Sequence, residues 1–514
     1  MKRNYLTRIP LFVVTVISLS SCNIFSLLGS SSDYSYPHYS DASFSSETRN
    51  GYSNAQATFT MSDVGKSAEL PYLKSVGNPK ILVIPVSIVG YEGNANSRNL
   101  TRIKKAFKGT ENIWQSVESF YNISSFGKLN LDITVADEWY ASGKTPAQIY
   151  REDAASSSET AGVQNVLNSA LSWYKNKYNT DGKEFDSDND GYIDAVWLIY
   201  SCPDYQTDTT LKEYSPTCWA YTYWASNNPN VSSPSACTYG WASYDFMNEG
   251  YGSFQSDAHT FIHETGHMLG LEDYYDYNVV SRDDGSSPMG FIDMMDANVI
   301  DHNVFSKWSL GWVAPFVVTG KGSIRLAPSA TSGECLIIPT SLGWNGSPFD
   351  EYIMIEYYTP ENLNYKDSQN EYEGNGVQGF TKRGVRIYHV DARLAKLSGR
   401  SNWSYTSSLT TNCVLAHSNT PSYGNDEDRQ TRNHLSPNYR LIQMMDALAK
   451  RDFSSIYAQA DDTSLFGNGS DSKFSFSLFK NSFPNKTKMN NGGTFEYTVS
   501  VSEMTSSSVL ITIS

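Results

Sequence analysis

The stretch from Phe261 to Asp273 constrains the fold more than any other, because its spacing requires a helix that ends in a sharp turn. His263 and His267 are four residues apart, so on a helix both imidazoles lie on one face and can bind a single metal ion. Glu264 follows the first histidine and reaches the edge of the same site. The pattern H-E-x-x-H is typical of zinc proteases, in which the glutamate is the general base.

The chain after this helix predicts the third metal ligand. Gly270 can end the helix in a left-handed turn, and Asp273 follows where the reversed chain can return a carboxylate to the metal. The complete spacing, H-E-x-x-H-x-x-G-x-x-D, is that of the metzincins with aspartate in place of the third histidine. We therefore expect Asp273 to be the third ligand. Three nearby residues are the alternatives: Glu272, Asp276 and His302.

Other residues near this helix have candidate roles. The segment from Pro288 to Asp296 has the pattern of a Met-turn, the tight turn that places a methionine thioether beneath the metal. His302 is a candidate to hydrogen-bond a ligand or the oxyanion of the reaction, and Tyr275 is a candidate donor to that oxyanion. A purely structural role is the alternative for each. His259 lies one turn before His263, and we expect it either beside a ligand or in solvent.

Composition and charge limit the classes of partner. The chain has 514 residues, enough for two or three domains, and its content of 39% hydrophobic and 13% aromatic residues is that of a folded protein. The formal net charge of -15 disfavours nucleic acid and anionic lipid headgroups as partners. Proteins or peptides are the expected substrates.

The first 70 residues predict export and attachment to a membrane. Residues 1–22 have a basic start, an apolar run and an ending, Leu19 to Cys22, that looks like a bacterial lipobox. Cys22 would then carry the acyl chains that anchor the protein at the cell surface, with ordinary signal cleavage as the alternative. Residues 23–70 are rich in Ser, Tyr, Gly and Asn, which predicts a flexible tether or, alternatively, a short inhibitory pro-segment.

The rest of the chain, residues 71–514, predicts an α+β fold in two parts. Residues 71–316 combine strands of buried type, such as Lys80 to Val89, with segments of helical spacing, which favours a mixed α/β domain. The H-E-x-x-H motif within it makes a zincin-type catalytic domain with a mixed sheet and an active-site helix the expected form. Residues 317–514 contain short alternating strands between turn residues, which favours a β-rich, sandwich-like region. Thr238 to Phe246 also alternates, and we expect it to be an edge strand that pairs with an extended peptide substrate.

A cluster of carboxylates predicts a second cation site. The pattern D-x-D-x-D-G resembles the first half of an EF-hand loop, in which oxygen ligands surround Ca²⁺ and glycine makes the sharp turn. Trp197 stands where the bidentate glutamate is expected, so the match is partial, and an acidic turn without metal is the alternative. The candidate calcium ligands are Asp186, Asp188, Asp190 and Asp194.

Cysteines predict disulfides, since an exported protein is exposed to oxidising conditions. Five cysteines remain besides Cys22, so at least one is expected to be unpaired within the chain. The candidate groups are Cys202, Cys218 and Cys237, and Cys335 with Cys413.

Three segments together resemble the immune inhibitor A family of bacterial exported zinc proteases. They are the motif from His263 to Asp273, the segment Asp293 to Asp296 with sequence D-M-M-D, and the segment His302 to Trp312. The opening strand, the acidic loop and the segment from Gly384 to Asp391 are also similar to that family, so the resemblance covers roughly residues 75–395.

This resemblance implies specific roles and a function. It implies Glu264 as the catalytic base, Met295 as the methionine of the Met-turn, and a zinc site formed by His263, His267 and Asp273. The expected protein is a membrane-anchored surface lipoprotein that uses Zn²⁺ to hydrolyse peptide bonds of extracellular proteins. A non-catalytic surface binding module that retains the protease fold is the alternative.

Overall fold

A computed structural model describes most of the chain after the N-terminal segment. The described residues are 52–54, 59–110, 114–156, 160–248, 256–276, 287–372, 376–398, 402–420, 438–454, 458–468 and 473–514. The predicted leader, Cys22 and most of the predicted tether lie outside these ranges. Among the described residues, no helix has the length and apolar content needed to cross a membrane.

Helices and short strands alternate in the first part of the chain. The strands are β1 Tyr52–Asn54, β2 Lys80–Ser87, β3 Asp132–Val135, β4 Tyr140–Ala141, β5 Tyr192–Ile193, β6 Ala195–Tyr200, β7 Tyr221–Trp224, β8 Ser235–Ala236 and β9 Thr238–Ser243. The helices are α1 Met61–Ser67, α2 Ser97–Lys108, α3 Val117–Ser124, α4 Pro146–Ala154, α5 Ala161–Tyr178 and α6 His259–Met268.

Strands dominate the second part. The helices are α7 Met294–Ala297, α8 Val304–Ser309, α9 Ser329–Ser332, α10 Tyr365–Gln369 and α11 Phe476–Phe479. The strands are β10 Phe316–Val318, β11 Gly322–Leu326, β12 Cys335–Pro339, β13 Glu351–Tyr358, β14 Gly384–Asp391, β15 Leu394–Ser398, β16 Asn402–Thr406, β17 Cys413–Leu415, β18 Ile442–Met444, β19 Lys473–Ser475, β20 Thr498–Ser502 and β21 Val509–Ile513. This composition confirms the α+β prediction and the β-rich second part.

The first large sheet has the order β3-β2-β6-β9-β7, with β4 beside β2. β3, β2, β6 and β9 are parallel, and β7 is antiparallel to β9. The prediction that Thr238 to Phe246 is an edge strand is therefore wrong, since β9 lies between β6 and β7. All six residues of β9 are buried, whereas those of β7 are half-buried, and among the described strands β7 forms the edge of this sheet next to β9.

The first sheet is covered on both faces, because successive side chains of a strand point in opposite directions. In β6, Trp197 and Ile199 pack into the hydrophobic core that includes α6, while Leu198 packs into the core that includes α5. Burial on both faces explains why these strands are continuous apolar runs in the sequence.

The second part forms a sandwich of two sheets. One has the order β1-β10-β12-β13-β14-β18 and the other β11-β21-β20-β19. In β13, Ile353 and Ile355 pack into the core between the two sheets, whereas Tyr352 and Met354 pack into the core that includes α6. That core therefore crosses the boundary predicted at residue 316, which falls inside β10.

Two further predictions require correction. The tether predicted for residues 23–70 extends too far, because α1 lies within it, buries Met61 and Val64, and begins with a capping box between Thr60 and Asp63. A helix of two turns needs only a few apolar residues, which the polar composition of the segment concealed. The predicted disulfides are also wrong in this structure, in which the described cysteines are buried free thiols: Cys202, Cys218, Cys237, Cys335 and Cys413.

Candidate metal centre

Helix α6 ends in the left-handed turn that the sequence predicts. Gly270 has φ of 95°. The N–H of Leu271 donates to the carbonyl of Gly266 at 3.0 Å, and the N–H of Gly270 donates to that of His267 at 2.9 Å, which is the hydrogen-bond pattern of a Schellman turn. The turn reverses the chain immediately after α6, so that Asp273 returns toward the two histidines.

Three metal-binding atoms converge at this turn. His263 Nε2 lies 2.9 Å from Asp273 Oδ1, and His267 Nε2 lies 3.1 Å from the same oxygen. The two Nε2 atoms are 3.1 Å apart. His263 and Asp273 are buried, and His267 is half-buried. The structure thus brings together the three zinc ligands predicted from the sequence.

The opposite side of each imidazole is held by the backbone. His263 Nδ1 lies 2.8 Å from the carbonyl oxygen of Met294, and His267 Nδ1 lies 2.7 Å from that of Leu271. A carbonyl only accepts, so each Nδ1 carries the proton and each neutral imidazole presents an Nε2 lone pair to the centre. Two lone pairs and a carboxylate oxygen then face one another, an arrangement that a cation stabilises. The donor set of two imidazoles and one carboxylate suits Zn²⁺.

With no metal ion bound, the charges at His267 and Asp273 favour a proton at the centre, in the position that a cation would take. Burial alone would lower the pKa of His267, but the Asp273 carboxylate outweighs it and raises that pKa to about 9. Burial would raise the pKa of Asp273, but the two imidazoles outweigh it and hold that pKa far below its usual value. The centre therefore keeps an anionic oxygen that favours a positive charge between the three residues.

Glu264 lies in the same turn of α6 as His263. It is buried, and its Oε2 has no hydrogen-bond partner among the described residues. Its backbone carbonyl accepts a hydrogen bond of 2.7 Å from Thr222 Oγ1 of β7, which ties the helix to the edge strand. Leaving a buried carboxylate oxygen unpaired costs free energy. In this position beside the centre, the oxygen can accept a proton.

The predicted Met-turn lies directly against α6. A Cβ atom at Gly266 would be 2.6 Å from the sulfur of Met295, so helix and turn are in close contact only because residue 266 is glycine. The turn corresponds to the four-residue helix α7, whose N-cap Asp293 accepts a hydrogen bond of 3.0 Å from the N–H of Met295. Burial raises the pKa of Asp293 to about 6, against the opposing charge of Arg386.

Two of the three alternative third ligands, Asp276 and His302, lie in environments that differ from that of Asp273. Asp276 forms an ion pair with Arg440 at 2.9 Å. His302 is fully enclosed, stands within 6.0 Å of the rings of Phe120, Tyr121 and Trp312, and has no hydrogen-bond partner for either nitrogen among the described residues. Burial lowers the pKa of His302 well below its usual value. The contact predicted between His302 and a metal ligand is therefore not formed.

Tyr275 and His259 are the two remaining residues with predicted roles near the centre. Tyr275 is half-buried, its carbonyl accepts a hydrogen bond of 3.2 Å from Thr420, and its role toward an oxyanion remains a prediction. His259 is not solvated: its Nδ1 lies 2.7 Å from Asp257, its Nε2 lies 3.3 Å from Asp367, and its ring stacks on Trp114 at 4.2 Å. This histidine anchors the start of α6.

The acidic loop brings together three of its four predicted ligands. Carboxylate oxygens of Asp186, Asp188 and Asp194 lie within 4.8 Å of one another, and Asp190 is not in this group. Both oxygens of Asp186 accept backbone N–H groups, and so do both oxygens of Asp194. These hydrogen bonds account for the turn by themselves, and calcium binding stays a prediction.

Several contributors to the centre are invisible in the sequence. The carbonyls of Met294 and Leu271 orient the histidines, and backbone atoms carry no residue signature. Arg386 donates to the carbonyl of Ile292 at 3.0 Å from a strand of the sandwich far along the chain. The segment G-V-R-I-Y-H-V-D contains this arginine inside a buried strand, and a charge in such a position is the one signal that could have identified it.

No protein-family model matches this chain, and no curated protein matches it significantly. The geometry of the site and the motifs in the sequence are therefore the basis for its chemistry.

Proposed function

We propose that the protein is a zinc-dependent endopeptidase of metzincin type, similar to the immune inhibitor A proteases. One observation carries the proposal: His263, His267 and Asp273 present three acceptor atoms to one point, beside a buried Glu264 oxygen that has no hydrogen-bond partner among the described residues. The mixed sheet with an antiparallel edge strand beside α6 supports a zincin-type catalytic domain.

The chemistry follows from the positions of these groups. When bound, zinc supplies a Lewis acid that polarises the scissile carbonyl and lowers the pKa of a coordinated water to about 7. Glu264 takes a proton from the attacking water at its free Oε2 and then gives it to the amide nitrogen as the C–N bond breaks. The products are one new carboxylate and one new amine. Both Nδ1 contacts keep His263 and His267 in the tautomer that binds metal.

The edge strand β7 supports an extended peptide as substrate. Among the described strands, β9 alone pairs with β7, so the other side of β7 can pair with a peptide that adds a strand to the sheet. Thr222 of this strand binds the carbonyl of Glu264, so a peptide paired there would lie alongside the helix that carries the catalytic glutamate. Extracellular proteins with accessible extended segments are the proposed substrates.

Surface anchoring is part of the same proposal. The lipobox-like ending at Cys22 lies outside the described residues and supports attachment through acyl chains. Metabolic labelling with a fatty acid should mark the unmodified protein and not Cys22→Ala.

The direct test of function compares Glu264→Gln with Glu213→Gln, a matched change at an exposed site. Glu264→Gln is expected to retain zinc and to lose peptide hydrolysis by about 10²–10⁴-fold, because the amide cannot accept the proton. Glu213→Gln should cleave like the unmodified protein, and a zinc chelator should abolish cleavage in both active forms. If the unmodified chain binds zinc and cleaves no protein substrate, the binding-module alternative replaces the enzyme.

A further inference from the structure

The orientation of His263 depends on a short turn. The ring is fixed by the hydrogen bond of 2.8 Å from its Nδ1 to the carbonyl of Met294, the first residue of α7. A helix of four residues has too few internal hydrogen bonds to be stable alone. Its position must therefore be set by contacts with the rest of the molecule.

Arg386 of β14 provides one of these contacts. Its Nη2 donates to the carbonyl of Ile292 at 3.0 Å and lies 3.8 Å from Asp293 Oδ2. Asp293 in turn caps α7 through the N–H of Met295. The guanidinium thus contacts the two residues that immediately precede Met294, and Asn303 Nδ2 also donates to Asp293 Oδ2 at 2.9 Å.

The surroundings of Arg386 keep it in one position. It is 2% exposed, and its Nη1 lies 3.4 Å from Glu356 Oε1, which also accepts a hydrogen bond from Tyr388. The rings of Tyr358, Phe380 and Tyr388 surround the guanidinium at 5.1 to 6.0 Å. A buried arginine between two carboxylates and three rings is a rigid donor, and lysine cannot reproduce its planar, two-pronged geometry.

A second connection joins the sandwich to the metal-binding loop. Asn419 Nδ2 donates to the carbonyl of Tyr274 at 2.8 Å, and the N–H of Tyr274 donates to the carbonyl of Met295 at 2.8 Å. Tyr274 directly follows Asp273. The C-terminal region therefore contacts both the Met-turn and the loop of the third ligand.

We propose that Arg386 is a positioning residue for the metal centre: it fixes Ile292 and Asp293, which set the Met294 carbonyl that orients His263. The sandwich then completes the zinc site rather than serving only as an appended domain. This inference rests on the proposed zinc endopeptidase function. Because Arg386 acts through the turn, its replacement should change zinc affinity and kcat and leave KM near its original value.

The test is Arg386→Lys, which keeps a positive charge and loses the paired contacts to Ile292 and Glu356. Zinc affinity is measured by competition with a chelator of known affinity, and the metal environment by the visible spectrum of the cobalt(II)-substituted protein. We expect zinc affinity to fall about 10–100-fold, the usual effect of removing a contact that orients a ligand. The cobalt spectrum should shift, and kcat should fall.

Arg393→Lys is the matched control. Arg393 follows the same strand, pairs with Asp391 at 2.7 Å and lies over the ring of Tyr405 at 4.1 Å, so this change also weakens a buried arginine pair of the sandwich. Its thermal stability is expected to fall while zinc affinity and the cobalt spectrum stay those of the unmodified protein.

The outcomes separate this inference from the proposed function. If folded Arg386→Lys binds zinc as tightly as the unmodified protein and gives the same cobalt spectrum, the positioning role is overturned and the enzyme proposal stands. If the unmodified protein binds no zinc, both are overturned.

A double variant, Arg386→Met with Glu356→Gln, provides the test if Arg386→Lys does not fold. It removes both members of the nearest ion pair, a change that proteins often tolerate. The same loss of zinc affinity is expected. Unchanged zinc binding in that double variant also overturns the inference.

Discussion

Each histidine of the centre is fixed from the side that faces away from the metal position. The carbonyls of Met294 and Leu271 bind the Nδ1 atoms, and this leaves the Nε2 lone pairs of His263 and His267 directed at Asp273. The two Nε2 lone pairs and the Asp273 carboxylate repel one another. A shared proton can relieve this repulsion, and a divalent cation does so more effectively at neutral pH. The lone pairs that the site offers to a cation are thus directed by hydrogen bonds on the far side of each ring.

The variant Asp273→Asn tests whether Asp273 is the third zinc ligand, and Asp276→Asn is the matched control. Asp273→Asn should weaken zinc binding by more than about 100-fold, beyond the usual effect of changing an outer contact, because it removes the anionic donor. Asp276→Asn should instead weaken the ion pair with Arg440 and lower thermal stability at unchanged zinc content. Zinc content that falls in Asp276→Asn and not in Asp273→Asn would show that the ligand is misassigned.

His259 predicts a pH dependence of stability. Burial would lower its pKa, but Asp257 and Asp367 outweigh burial and raise it from 6.5 to about 10. A raised pKa in the folded state stabilises the fold fully below pH 6.5, and that contribution is lost as the pH rises toward 10. The free energy of unfolding should therefore fall by on the order of 1 kcal/mol per pH unit across this range. In His259→Gln, the part of the pH dependence of unfolding free energy that comes from His259 should be missing. Equal pH dependence in the two proteins would show that His259 does not cause it.

At the scale of single elements, the end of α6 and the neighbouring edge strand show what local patterns determine. The turn at Gly270 and the return of Asp273 follow from spacing alone, because helical periodicity and a left-handed glycine are local properties. The order of the strands is not local. β7 and β9 both alternate polar and aromatic residues, and only the tertiary arrangement places β9 inside the sheet.

Gly270→Ala tests the turn, with Gly320→Ala as its control. At Gly270, φ of 95° and a Cβ only 2.5 Å from Met61 both oppose a side chain, so a loss of stability of about 1–3 kcal/mol and a lower zinc content are expected. A Cβ at Gly320 meets no atom within 4 Å, so that variant should match the unmodified protein or exceed its stability slightly. Equal unfolding and equal zinc content in the two variants would show that the turn does not determine the site.

At the scale of the whole molecule, the centre lies in a core that both parts of the chain share. Trp197 of the first sheet and Met354 of the sandwich belong to the same hydrophobic cluster. The sequence predicts the cluster of His263, His267 and Asp273 and the two-part α+β plan, since these depend on short-range spacing and composition. It misses the ordered helix α1, the shared core and Arg386, since these depend on contacts between residues far apart in the chain.

The most direct test of the central claim is a crystal structure of the zinc-loaded protein, with diffraction measured on both sides of the zinc absorption edge. One anomalous peak is expected between His263 Nε2, His267 Nε2 and Asp273 Oδ1, at about 2.0–2.2 Å from each atom. A folded, zinc-loaded protein with no peak at this position, or with zinc bound by other residues, would show that these three residues do not form the zinc site.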